Sequence, residues 1–203
     1  MASGAGKLFV FEGPDGVGKT TLATKFAEHL AARALPCELM SFPGREAGTL
    51  GHLVYQLHHD TTRFGIASIQ PTSLQTLHIA AHVDAIETRI LPALKGGRHV
   101  VLDRFWWSTW VYGVVAKANR QALRAMIRVE RACWGPTQPS AAFLITRATS
   151  LRETEVAGSW NELCAEYWRH AERERRRYPV HIIDNDHSVE ESLGRIIELT
   201  RTG

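Results

Sequence analysis

The sequence predicts an α/β fold: a central parallel sheet of about five strands with helices on both faces, three layers in all. Three observations predict it. Short β-rich runs alternate with longer helical patterns along the chain. The first run, Leu8-Phe9-Val10-Phe11, is apolar without alternation, as a strand buried on both faces must be. It leads through a glycine-rich turn straight into an amphipathic helix. The 203 residues, 44% of them hydrophobic, suit one domain over 1–203, with no repeat, linker or low-complexity stretch.

The elements follow in order. After the turn, Lys19 to Ala34 places Leu22, Phe26 and Leu30 four apart on one helical face, and Pro36 forbids continuation. Glu38-Leu39-Met40-Ser41-Phe42 is the second strand. Pro71-Thr72-Ser73 opens a long helix carrying Leu74, Leu77, Ala81 and Ile86, which Gly96-Gly97 ends before the strand His99-Val100-Val101-Leu102. Phe105 to Cys133 reads as one or two helices with a break near Asn119, closed by Pro136 and Pro139. Ala141-Ala142-Phe143-Leu144-Ile145 is a further strand. Ser159-x-x-Glu162 is a capping box opening a charged helix through Arg177, Val180 to Asp184 is the last strand, and Ser188-x-x-Glu191 caps the closing helix.

Composition excludes several classes of function. Lys and Arg number 24 against 21 for Asp and Glu, an interspersed excess of 3 that argues against a polymeric nucleic-acid partner. No apolar run approaches the roughly 20 residues needed to cross a bilayer, and the first residues lack a signal-peptide pattern, so the expectation is a cytoplasmic protein with no membrane partner. Cys37, Cys133 and Cys164 are odd in number, far apart and never paired as Cys-x-x-Cys, which predicts packed thiols.

Gly13-Pro14-Asp15-Gly16-Val17-Gly18-Lys19-Thr20 fits the phosphate-binding pattern G-x-x-x-x-G-K-[ST] in full, and its position between a buried strand and a helix is the context that confirms the motif. Backbone N–H groups can converge on a phosphate only where no Cβ obstructs them, and the helix N-terminus adds partial positive charge. Lys19 is expected on the β- and γ-phosphates and the Thr20 hydroxyl on Mg²⁺. The loop by itself leaves GTPases, motors and small-molecule kinases open. The short chain and the absence of the guanine-reading tetrapeptide Asn-Lys-x-Asp favour a compact kinase.

At Phe11-Glu12-Gly13-Pro14-Asp15-Gly16-Val17-Gly18-Lys19-Thr20-Thr21 the sequence resembles the thymidylate kinases, whose loops read F-E-G-x-D/E-G-x-G-K-T-T. Asp103-Arg104-Phe105, followed by Ser108 and Tyr112, resembles that family's D-R-Y…S…A-Y-Q segment, and the order of elements matches along nearly the whole chain. The resemblance implies a P-loop nucleoside monophosphate kinase, with ATP on the loop including Thr21 and an acceptor monophosphate beside Asp103-Arg104. Arg104 would hold the acceptor phosphate and Tyr112 would line its site. Asp15 would lie near the acceptor sugar, and Arg45 would contact the acceptor phosphate. Asp103 would orient Mg²⁺ or hold Arg104. A homodimer packed through helices is implied as well.

The sequence also departs from that pattern. Gly16 stands where some thymidylate kinases carry a catalytic arginine, so the cation would come from a short lid around 147–158, through Arg147 or Arg152. His78 and His82 occupy the positions of the base-stacking Phe and the base-reading Arg. Four apart, they share a helical face, and no third zinc ligand is evident. Gly113 replaces the Gln of A-Y-Q, and Trp107 is expected to line a larger or flatter acceptor pocket. The acceptor is therefore dTMP or a modified pyrimidine nucleotide. Two other readings stay open: an ATP-dependent kinase of a hydroxyl on a modified base or other metabolite, and a decayed nucleotide-binding regulatory protein.

Overall fold

A computed structural model describes residues 5–151 and 160–201. Arg152, the remainder of the expected lid and Ser159 of the first capping box lie outside the described residues. Five strands, β1 (Leu8–Glu12), β2 (Cys37–Ser41), β3 (His99–Asp103), β4 (Ala141–Thr146) and β5 (Val180–Asp184), form one parallel sheet in the order β2-β3-β1-β4-β5. Every residue of β1 is buried, which is why its run is apolar without alternation. Leu8 and Val10 face one core, while Phe9 and Phe11 face the other. Burying each of these side chains contributes roughly 1.5–3 kcal/mol.

Helices α1 (Lys19–Ala32) and α8 (Val189–Arg201) cover one face of the sheet, packing Phe26 and Ile196 against Phe11 and Phe143. The other face carries α3 (Pro71–Ala85), α5 (Trp106–Val115), α6 (Arg120–Trp134) and α7 (Trp160–Glu174). The break expected near Asn119 falls there: its side chain caps α6 by accepting from the backbone N–H groups of Gln121 and Ala122, each at 3.0 Å. The Ser188/Glu191 box also forms, with the Glu191 N–H donating to Ser188 Oγ at 3.2 Å and the Ser188 N–H to Glu191 Oε2 at 3.0 Å.

Two local expectations change. The long helix from Pro71 is interrupted by a π-helical turn, Ile86–Ile90, before α4 (Leu91–Lys95). Pro92 has no N–H and its ring clashes with the carbonyl four residues back in a regular helix, so the wider turn accommodates it. A further helix, α2 (Leu50–His59), was not assigned from the sequence, although Leu50, Leu53, Val54 and Leu57 fall at helical spacing; Thr49 caps it through His52 N–H at 3.1 Å. Cys37, Cys133 and Cys164 are free and partly buried. Among the described residues, no helix is long and apolar enough to cross a membrane.

Candidate active site

The sheet order places β1 between β3 and β4, so the loop leaving β1 emerges at the carboxyl edge of the sheet beside the end of β3. Gly13 has φ +139°, and a Cβ there would lie 2.3 Å from the Ile145 carbonyl oxygen. Gly18, φ +90°, would meet the Asn185 side-chain nitrogen at 2.5 Å. Both positions exclude larger residues by conformation and by contact. Asn185 also donates through Nδ2 to the Val17 carbonyl at 2.8 Å, bracing the loop from the end of β5.

At the start of α1, Lys19 is buried with its Nζ 2.6 Å from the Pro14 carbonyl oxygen and 3.6 Å from Asp15 Oδ1. Burial, then the positive charge of Arg104, pushes its ammonium down to about 8, against the pull of Asp15 and Asp103. Arg104 hydrogen-bonds Asp15 Oδ1 directly. It adopts φ +80°, a left-handed conformation costly for a side-chain-bearing residue and often found at functional sites. Burial opposes its charge, but Asp15 in particular raises its pKa, so the guanidinium stays charged. Burial alone would raise Asp15; Arg104 and then Lys19 overcome that and hold its carboxyl below the usual range. Tyr112 OH donates to Asp15 Oδ2 at 2.9 Å and accepts from the Asp15 N–H at 3.1 Å. Asp15, Lys19, Arg104 and Tyr112 thus form one cluster, with two cations held on a carboxylate and a carbonyl that phosphate oxygens can replace.

Beside it, Thr20 Oγ1 donates to Asp103 Oδ2 at 2.6 Å, while Asp103 Oδ1 is buried with no hydrogen-bond partner among the described residues. A hydroxyl, a carboxylate and one orphaned carboxylate oxygen are hard oxygen donors of the kind Mg²⁺ selects, so these residues fit the metal. Arg104 pairs directly with Asp15, and the Asp103 charge adds a smaller pull on its guanidinium.

Other expected residues have different surroundings. Arg45 is exposed and lies over the Tyr55 ring at 4.7 Å. Arg147 hydrogen-bonds the Asn185 carbonyl and lies 3.8 Å from Asp186 Oδ1, so it ties β4 to the loop after β5. Ser150 Oγ and the Leu151 N–H reach the carbonyls of Asp15 and Gly16 at 3.3 and 3.0 Å, so the start of the lid segment rests on the P-loop. Trp107 corrects an expectation: it has no exposed surface and its indole N–H donates to Tyr178 OH at 3.0 Å, so it is core and lines no acceptor pocket. His82 is also buried, stacked on Phe42 at 4.1 Å, with Nδ1 2.8 Å from Glu130 Oε2. That packing joins α3 to α6 and commits one face and one nitrogen to the protein. His78 differs: its Nε2 lies 3.3 Å from His58 Nδ1, and burial, followed by the charges of His82, His58 and Arg104, lowers it to about 3. It is neutral and within the electrostatic reach of Arg104. Gly113 is explained by contact, since a Cβ would stand 2.8 Å from the Leu123 side chain and 3.2 Å from Gln75.

One central residue carried no assigned role in the sequence. Glu12, fully buried at the end of β1, accepts from the N–H groups of Phe105 and Ser108 at 2.8 and 3.0 Å and from Ser108 Oγ at 2.7 Å. It therefore caps α5 from another element and fixes the turn that presents Arg104. Its signal in the sequence was only its place in the F-E-G run.

The family profile described as thymidylate kinase matches residues 11–192. A thymidylate kinase from Dinoroseobacter shibae is 34% identical over 73% of this chain and 68% of its own length. Another, from Thermoanaerobacter sp., is 35% identical over 53% of this chain, an alignment that spans half of that relative. Among solved structures, thymidylate kinase from Ehrlichia chaffeensis superposes with a TM-score of 0.76 at 19% identity, covering 97% of this chain and 99% of that one, which is a likeness of fold. With the loop, the Asp103-Arg104 turn and the sheet order all in place, the chain belongs to the thymidylate kinase family of P-loop kinases.

Proposed function

We propose that the chain transfers the γ-phosphate of ATP to the phosphate of dTMP, releasing ADP and dTDP. The observation that carries this reading is the Lys19–Asp15–Arg104–Tyr112 cluster next to the Thr20–Asp103 pair. Transfer between two phosphates crowds negative charge, so catalysis rests on cations and positioning. The loop Gly13–Thr21 receives the ATP phosphates on its backbone N–H groups, and Lys19 exchanges the Pro14 carbonyl for phosphate oxygen. Arg104 releases part of its contact with Asp15 to hold the acceptor phosphate, and Asp15 is then left to accept from the acceptor sugar, with Tyr112 keeping it in place. Thr20 and Asp103 would hold Mg²⁺, which would supply charge neutralisation to the transfer. His78, neutral and paired with His58, offers one donor or acceptor to a pyrimidine edge. The lid arginine Arg152 would complete the set of cations, with Arg147 tied to the β5 loop and Arg45, in the loop before α2, contacting the acceptor phosphate. The intact cluster speaks against a decayed site.

The test is ADP release with ATP and Mg²⁺ across a panel of nucleoside monophosphates and phosphate-free nucleosides. Stimulation by dTMP, abolished in Lys19→Ala, is the expected outcome; stimulation by a phosphate-free compound alone would move the acceptor to a hydroxyl.

A further inference from the structure

A cleft of about 300 Å³ opens between α5, α6 and α7, lined by Arg124, Arg128 and Arg131 from α6, and by Arg173 and Arg177 at and just beyond the end of α7. Trp106 and Trp110 form its floor on α5. These tryptophans sit two residues from Ser108 and Tyr112, roughly 200° around the helix, so the cleft lies on the side of α5 away from the P-loop cluster. Nothing in the phosphoryl-transfer reading uses it.

Its wall is unbalanced in charge. Five guanidiniums meet one lining carboxylate, Glu174, which is spent on Arg131 at 3.3 Å and Arg177 at 3.9 Å. Arg124 and Arg128, one turn apart on α6, are exposed and have no carboxylate within ion-pair distance among the described residues. The arginines are also aimed: Arg131 lies over Trp106 at 5.0 Å and Arg173 over Trp110 at 5.8 Å. Those contacts occupy the indole faces, so a flat base gains no stacking surface there.

His170 fixes one of these arginines in place. It lines the cleft, is 2% exposed, and its Nε2 has no hydrogen-bond partner. Nδ1 lies 3.2 Å from Arg173 Nη2. A guanidinium has no acceptor, so Nδ1 accepts and the ring proton sits on Nε2, a buried donor lacking an acceptor. Burial, then Arg173 and Arg131, keeps the ring neutral at ordinary pH. A wall made of donors and positive charge suits fully ionised oxygens. With liquid water at about 30 Å³ per molecule, the volume is roughly that of ten waters, room for more than one phosphate group.

We propose that this cleft binds an oligophosphate anion, the linked phosphates of either an inorganic oligophosphate or a nucleotide tail, held by Arg124, Arg128 and Arg131, with His170 behind them holding Arg173 in place. The probe is tripolyphosphate, titrated by calorimetry into the Lys19→Ala chain to silence the P-loop, with the His170 side-chain proton followed by NMR. Binding in Lys19→Ala is expected, together with a shifted His170 ring signal as Arg173 engages the anion. The Arg124→Gln/Arg128→Gln pair on that background should weaken affinity by at least about tenfold, as loss of charge-assisted contacts requires. Both arginines are exposed, and an unchanged melting temperature of the variant checks the fold. ATP binding more tightly than tripolyphosphate would assign the site to a nucleotide tail, and equal binding to the phosphates alone. No binding in Lys19→Ala, or equal binding with both arginines replaced, would overturn the proposal. Because turnover is never read, this result is separate from that of the acceptor panel.

Discussion

Lys19 shows how burial and charge set a reactive group. Its ammonium is held by a carbonyl and a distant carboxylate, beside a guanidinium, and titrates near 8 in the nucleotide-free chain. ATP phosphates restore favourable charge and raise that value, so the bound state takes up a proton wherever the free state has lost it. ATP binding at pH 8.5–9 is therefore expected to take up part of a proton, with affinity falling as pH rises past 8, while binding at pH 6.5 takes up none through Lys19. Calorimetry in two buffers of different ionisation enthalpy measures this, and Lys19→Ala should remove the difference. Asp103→Asn tests the metal pair: the amide keeps an oxygen for Thr20 but loses the charge facing Mg²⁺. Turnover should drop by about 10²-fold or more, the scale of a lost electrostatic contact at such a centre, with recovery at raised Mg²⁺. Lys19, Thr20 and the loop glycines were legible because their chemistry is local in sequence. His82 was not: its partners Phe42 and Glu130 lie 40 and 48 residues away, and only the fold brings a buried carboxylate to that ring.

The element that links these groups is α5. No local side chain caps its start, since Phe105 stands at the cap position; Glu12 of β1 accepts from the Phe105 and Ser108 N–H groups instead. Burial raises this carboxyl to about 7, even though Ser108 bonds and the charges of Arg104 and Lys19 lower it. A carboxyl whose folded pKa exceeds its unfolded one binds more protons when folded, so its contribution to stability declines as pH rises from about 4.5 to about 7. Glu12→Gln has no such titration, and its stability relative to the parent chain should improve across that window, measured as urea midpoints at pH 5 and pH 8. Glu12→Ala should cost roughly 1–3 kcal/mol for each N–H left buried without an acceptor. The strand and both ends of the helix region were readable from apolar pattern and from Asn119, but a cap supplied from 93 residues away has no sequence period to betray it. Trp107 misled for a related reason: an aromatic in a turn reads equally as pocket or core, and its partner Tyr178 decides the matter.

For the whole molecule, alternation of apolar runs with helical patterns was enough to anticipate a parallel sheet with two cores, because the inner strands β1, β3 and β4 are buried on both faces. The strand order was not written in those patterns; it follows from how the crossovers place β1 between β3 and β4, which puts the P-loop against the Asp103-Arg104 turn. The site is consequently assembled from three strand ends: β1 for the loop, β3 for Asp103 and Arg104, and β5 for Asn185, which braces Val17 and Arg147. A ligand that binds across these ends cross-links the sheet edge only when the chain is folded, so it must stabilise the whole molecule. At about 100 times its Kd, Mg²⁺·ATP adds about 2.7 kcal/mol, which for a chain of this size is a rise in Tm of roughly 5–11 °C. Lys19→Ala, retaining the sheet and both cores, should melt near the parent chain without nucleotide and lose most of that rise with it. A thermal scan of both chains with and without Mg²⁺·ATP reads the outcome, and an equal rise in both would mean that the nucleotide binds somewhere other than the loop.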